Sequence, residues 1–200
     1  MNTMVAHQTE VPSKPEWASE PVRLDPALAA GQSIEIVGAD GEAVRYQIHK
    51  RGAVIRRKLD RSGLPISVAV AARCFAGVAA RAMEDAEGNV TVTLELYHPD
   101  PALCVPLLVA RDLYDVAADW RSWSDLFGLP MMMIEADGSA ISGSEVIAEF
   151  IDEVHPDPPL IGRQALQRAE VRRLVQWFDS KFNAEVTENL VGEKMMKRFL

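Results

Sequence analysis

Leu129–Pro156, LPMMMIEADGSAISGSEVIAEFIDEVHP, is the stretch on which the fold turns. A proline leads into the apolar run Met131–Ile134, which has the length of a short strand. Asp137-Gly138 is a strong hairpin signal, because glycine reaches the positive φ that tight turns need, and Ala140–Ile141 supplies the returning strand. Ser144 stands where a helix cap is wanted. Val146, Ile147, Phe150, Ile151 and Val154 recur at helical spacing and predict a buried stripe, with Glu149, Asp152 and Glu153 on the solvated face. Pro156, Pro158 and Pro159 make a rigid linker. Val171, Leu174, Phe178, Phe182, Val186 and Leu190 then step by three and four, which predicts a long helix.

Upstream, a helix follows Asp115: Val116, Trp120, Trp123 and Phe127 share one face, and Gly128 and Pro130 end it. The Trp120/Trp123 pair reads as a face packed on a sheet rather than a stacking platform. Before it the pattern is β. Ile34 and Ile36, then Val44, Tyr46 and Ile48, alternate with polar residues, and Val54-Ile55 begins a third run, so a meander with one solvated face is expected. Gly38–Gly41 is its turn. The Arg56-Arg57-Lys58 run reads as either an anion site or a solvated strand edge protected by its charge. Over the alanine-rich Leu64–Ala80 strand and helix compete, and the reading leans to strands around Ile66–Val70 and Ala76–Ala80, with a turn at Asp85–Asn89. Val90, Val92, Leu94 and Leu96 alternate with polar partners as the clearest strand, and Cys104–Val109 is the next. Met1 to about Glu20 reads as a polar, disordered leader in which Trp17 either tucks onto the first domain or stays mobile.

With 48% apolar residues, 200 residues can bury a core as one or two domains. The formal charge of −8 argues against a general nucleic-acid binder. From Arg163 onward eight Lys/Arg face five Asp/Glu, a mildly basic end that reads as a solvated helix face with pairs such as Glu193–Lys197. Two cysteines, Cys74 and Cys104, without short spacing fit a reducing cytosol, so a cytoplasmic location is expected. No apolar run approaches the roughly 20 residues of a membrane span. His49, His98 and His155 are scattered as surface residues, no ligand spacing suggests a metal, and no glycine-rich phosphate loop occurs.

Two resemblances add to this. VRLDP (Val22–Pro26), HPDPALCVPLLVA (His98–Ala110) and DVAADWRSWSDLFGLPMMMIEADG (Asp115–Gly138) resemble an uncharacterised bacterial domain family. That implies a β-rich α+β domain over the first two thirds of the chain, and no activity. Leu129-Pro130…Asp137-Gly138…Ser144, with WFDSKF and NLVGEKMMKR between Trp177 and Arg198, resembles the glutathione S-transferase superfamily, and within it the transferase-like bacterial cell-division proteins. The resemblance implies a cis-proline at Pro130, whose alternative is an ordinary trans-proline ending the Trp120/Trp123 helix. It also implies a glutathione carboxylate at the helix tip marked by Ser144, whose alternative is a plain cap. Gly143 replaces the acidic residue usual before that serine. The catalytic strand and helix that precede the proline in such proteins are replaced here by the other domain, so no catalytic residue is carried over to Tyr97, Cys74 or Cys104.

The expected fold is therefore α+β, with a leader over 1–20 and a β-rich domain with one packing helix over 21–128. A partial thioredoxin-like hairpin and helix would follow over 129–155, then a linker over 156–162 and the first long helix of a transferase-type domain over 163–200. The two resemblances meet at Leu129-Pro130…Asp137-Gly138, a feature both share, so a fusion is expected at that point, either natural or produced by a sequencing or gene-model error. The expected function is a non-catalytic glutathione S-transferase-like protein acting through protein contacts, with the division filament as partner. It needs no cofactor, glutathione being the one the resemblance admits. The alternatives are a glutathione-dependent transferase and a binding module with a passenger tail.

Overall fold

The alternation in Val90–Tyr97 becomes an eight-residue strand inside the larger of two sheets. The computed structural model describes residues 15–28, 31–38, 41–59, 61–111, 114–187 and 189–190. Among these the protein is a mixed α+β chain, β-rich in its N-terminal part and carrying three α-helices. It divides into two compact units, Met1–Ile147 and Ala148–Leu200. In chain order the strands are β1 (Val22–Arg23), β2 (Ser33–Val37), β3 (Ala43–His49), β4 (Gly52–Lys58), β5 (Pro65–Ala71), β6 (Gly77–Glu84), β7 (Val90–Tyr97), β8 (Val105–Ala110), β9 (Met131–Ile134) and β10 (Ala140–Ser142).

The expected meander is the four-stranded sheet β2-β3-β4-β5, antiparallel throughout. Gly52 opens β4 at φ +140°, and a Cβ there would lie 2.1 Å from the Val70 carbonyl oxygen, so only glycine fits the close approach. Arg56-Arg57-Lys58 does not form an edge, because β4 pairs with both β3 and β5. The six-stranded sheet runs β1-β8-β7-β6-β9-β10 and is antiparallel except where β6 meets β9. β6 extends past the Ala76–Ala80 expected for it, and its residues Arg81–Glu84 pair with β7. The Asp85–Asn89 turn forms as read: the Asp85 carboxylate accepts the amides of Glu87 and Asn89 at 3.0 and 2.8 Å.

One buried cluster holds Tyr46, Ile48 and Ile55 of the small sheet together with Val78, Leu94, Leu96 and Leu107 of the large one. Helix α1 (Val116–Phe127) adds Val116 and Trp123 to it. Trp123 is fully buried and stacks on Phe127, and the Trp120 indole N–H donates to the Val78 carbonyl at 2.7 Å, so the pair is a packed face. Asp115 caps α1 by its carbonyl, which accepts the Asp119 N–H. Its side chain makes no cap bond, and its own φ is +61°. Gly128 ends the helix in the left-handed region as expected.

The β9-β10 hairpin forms in the expected register, Ala140 opposite Ile134 and Ile141 opposite Met133. Its turn is held by the Asp137 carboxylate, which accepts the Ser139 N–H at 2.8 Å. The hairpin belongs to the large sheet: β9 lies parallel to β6, with Val78 opposite Met131. The peptide bond before Pro130 is trans, and the cis bond found is Asp157–Pro158, which corrects the cis-proline expectation.

Helix α2 (Ser144–Val154) departs from its predicted stripe. Ile147 is buried, but Val146 is 57% exposed and Ile151 and Val154 are also exposed. Asp152, expected in solvent, is 5% exposed and accepts the amides of Leu160 and Ile161 at 2.5 and 3.3 Å. A carboxylate thus satisfies linker amides that have no ladder partner. Glu149 and Glu153 pair with Arg172 and Arg168. Helix α3 (Ala165–Gln176) opens with a Gln164–Gln167 capping box and continues as wider π-type turns over Trp177–Thr187. Its apolar residues are not a buried stripe: Leu174, Phe178 and Leu190 are exposed.

The leader gives way earlier than expected, since Glu16–Ser19 form a short 3-10 turn whose Ala18 is buried. The rest of the expected leader, residues 1–14, lies outside the described residues, as do Ala39 and Asp40 of the Gly38–Gly41 turn and the Glu193–Lys197 pair.

Two substitutions test this packing by chemical denaturation. Trp123→Ala empties a fully buried site and should cost about 3–5 kcal/mol. Trp123→Phe should cost much less, because the buried indole N–H has no acceptor to lose. At Gly77 a Cβ would lie 2.5 Å from the Met132 sulfur and 2.7 Å from the Pro130 carbonyl oxygen. Gly77→Ala should therefore cost about 1–3 kcal/mol by overpacking the β6–β9 seam.

Candidate functional site

Register alone brings two charges together in the large sheet. Arg81 on β6 lies opposite Thr93 on β7, so Glu95 is its diagonal neighbour on the same face. The Arg81 side chain donates from Nε and Nη2 to Glu95 Oε1 at 3.0 and 2.9 Å. Both are buried, at 6% and 2% exposure. Arg81 Nη1 and Thr93 Oγ1 are buried as well and have no hydrogen-bond partner. Burial raises the Glu95 carboxyl above the usual carboxylate range, with the guanidinium pulling the other way.

This face of the sheet closes one side of a cleft of about 420 Å³. The four-stranded sheet contributes Ile36, Val44, Tyr46 and the half-buried Arg57, and the 3-10 turn near the N-terminus contributes Trp17. The remaining wall is Tyr97 and the loop from His98 to Cys104. Local chemistry fixes that loop. Asp100 accepts the Ala102 N–H at 3.0 Å and caps the turn Pro101–Leu103. The His98 N–H donates to Cys104 Sγ, and the thiol donates back to the His98 carbonyl, each at 3.3 Å. His98 is therefore not the surface residue expected: it meets Phe75 edge-on and accepts the Asp100 N–H at Nδ1. His49 and His155 are exposed as expected.

Burial, with the Glu95 charge second, pushes the Cys104 thiol up to about 12, so it stays protonated near neutral pH. Burial, with Cys104 second, likewise pushes the Tyr46 hydroxyl up to about 12. Among the described residues no group of three His, Cys, Asp or Glu is placed to hold a metal ion. No helix searched among the described residues is long and apolar enough to cross a membrane.

Pro130 and Ser144 lie apart from this cleft's lining. The Gly143 N–H donates to the Met131 carbonyl, and Ser142 lies opposite Met132, so the hairpin brings the two residues to its same end, both exposed. Gly143, at φ +97°, precedes α2 and its carbonyl accepts the Ile147 N–H. Ser144 is thus the first helical residue rather than the cap. Sequence reasoning missed the buried pair because Arg81 lay beyond the expected strand end and Glu95 occupied a polar position of a regular alternation. The available signal was an ionisable residue in the middle of a strand rich in branched apolar residues.

FtsZ-localized protein A of Caulobacter vibrioides (strain NA1000 / CB15N) is 45% identical over 76 residues, 36% of this chain and 33% of that protein. The chain thus spans about a third of the length of the curated relative it matches. No solved structure matches. A family model described as a family of unknown function (DUF6101) matches residues 10–182. That match spans Leu129–Ser144, where the two resemblances meet, and reaches beyond the first two thirds of the chain. The chain belongs to this family of unknown function, DUF6101.

Proposed function

We propose that this protein acts by contact with another protein, at the bacterial division apparatus. The observation that carries the reading is the 45% identity with FtsZ-localized protein A. The second unit supports it. Trp177, Phe178 and Phe182 cluster with ring centroids 4.9–5.6 Å apart, and Phe178 is 52% exposed. Exposed aromatic residues on a fixed element are the usual anchors of protein interfaces. The Glu149–Arg172 and Glu153–Arg168 pairs tie α3 to the last turns of α2 and hold that ridge in place. The partner under this reading is FtsZ, which the relative's name contains, and the location is the cytoplasm.

The finer form of the proposal is a glutathione S-transferase-like ancestry, with a thioredoxin-like hairpin and helix and a transferase-type helix at α3. In that form Pro130 and Ser144 mark the place of a glutathione site, and the protein does no catalysis. A glutathione-dependent transferase is the alternative. It requires a group that activates the thiol of glutathione, and the protonated Cys104 does not supply one.

Sedimentation with GTP-assembled FtsZ of Caulobacter vibrioides tests the reading on the full chain. The protein should pellet with filaments at roughly micromolar concentration. The double variant Trp177→Ala/Phe178→Ala should weaken that binding by roughly 2 kcal/mol or more. Absence from the pellet overturns the division reading. Retention on immobilised glutathione, competed by free glutathione, would favour the transferase instead.

A further inference from the structure

We propose that the cleft between the two sheets binds a small monocarboxylate with an aromatic or branched apolar body, its acid group seated on the Arg81 and Arg57 guanidiniums. The inference is independent of the division reading and rests on the first unit alone.

A guanidinium offers five N–H donors, and a buried one left incomplete is costly. Glu95 takes donors from Nε and Nη2 of Arg81, and Nη1 is left without an acceptor. Arg81 is nine-tenths buried and belongs to the cleft lining, so the cleft is the side from which the missing acceptor would reach it. Buried polar atoms without partners are rare in native proteins and gather where a ligand or water supplies the missing bond.

Charge selects the kind of acceptor. Arg57 and Arg81 bring two positive charges to the lining, and Glu95 brings one negative. Tyr46 and Cys104 are neutral near neutral pH, each with its acid group held at about 12. His98 Nδ1 is engaged by the Asp100 N–H. One positive charge is left over, which suits a monoanion. The Arg57 guanidinium has no hydrogen bond or ion pair among the described residues, and the half-buried side chain lines the same cleft, so it is available to the acid group.

Shape selects the body. Trp17, Tyr97, Ile36, Val44 and Pro101 give the cleft apolar and aromatic walls. A volume of about 420 Å³ lies within the range of small-molecule sites. A phosphate site would offer a glycine-rich loop, and among the described residues the lining holds one glycine, Gly38.

Calorimetric titration of the full chain with phenylacetate and its neutral analogue phenylacetamide tests the proposal. Phenylacetate should bind, and phenylacetamide should bind at least about tenfold more weakly, because it forfeits the charge-assisted bonds. Arg57→Gln should weaken phenylacetate by about tenfold and leave phenylacetamide unchanged. Trp17→Ala should weaken both. Arg81→Lys keeps a cation for Glu95 and removes the unfilled donor, so it should abolish the preference for the acid. If Arg81→Lys unfolds, as circular dichroism would show, the Arg57 and Trp17 variants decide. Equal affinity for acid and amide overturns the proposal, as does no binding of phenylacetate up to roughly 10 mM. Binding of inorganic phosphate in its place, or indifference to Arg57→Gln, also overturns it.

Discussion

The amide of Val78 donates to the Pro130 carbonyl at 2.9 Å, while the Val78 carbonyl receives the Trp120 indole N–H at 2.7 Å. These two bonds bind a strand, a helix and a hairpin to one residue. The first of them is possible because Gly77, one residue earlier, has no side chain to hold Met132 and the Pro130 carbonyl away. With β9 seated beside β6, the α1–β9 connection must be short. The Ser124 hydroxyl and the Leu129 amide close it, the hydroxyl donating to the Leu129 carbonyl and the amide donating to the Ser124 carbonyl. β9 then carries β10 to the sheet edge and delivers the chain to the start of α2.

On the other face of the same strand the balance is electrostatic. Taking Arg81 and Glu95 out of water costs several kcal/mol per ion, and only good geometry offsets that. Two donors on one carboxylate oxygen supply the geometry, while Nη1 leaves the pair incomplete. A β-sandwich interior filled with apolar side chains would be at least as stable. A polar centre beneath a cleft therefore points to binding more than to stability, and specificity of the fold is the other use such pairs have.

The second unit is held differently. Its helices touch through charge pairs, Glu149–Arg172 and Glu153–Arg168, and through Asp152, which gathers the linker amides. Exposed ion pairs contribute at most about 1 kcal/mol each. The buried Asp152 carboxylate, bonded to two backbone amides, is the stronger tie. The aromatic residues Trp177 and Phe178 stand partly in water.

Local rules reached far into this chain. The meander, the strands on either side of Asp85–Asn89, the Asp137-Gly138 hairpin, the Gly128 stop and the helices α1, α2 and α3 were legible, because turn chemistry and side-chain period act within a few residues. The Trp120/Trp123 face was legible for the same reason. What lies on the far side of an alternating strand was not. Thr93 and Glu95 looked like solvent positions, yet the small sheet covers that face, and only the arrival of a second layer decides whether a polar residue meets water or a partner. The stripe of α2 failed likewise: amphipathic spacing marks which residues share a face, while the neighbouring elements settle whether that face is covered. Sequence by itself determined where the chain turns and which segments are strands and helices. The tertiary structure alone decided the parallel seating of β9, the burial of Arg81, Glu95 and Asp152, and the cleft, because burial depends on contacts between segments far apart along the chain.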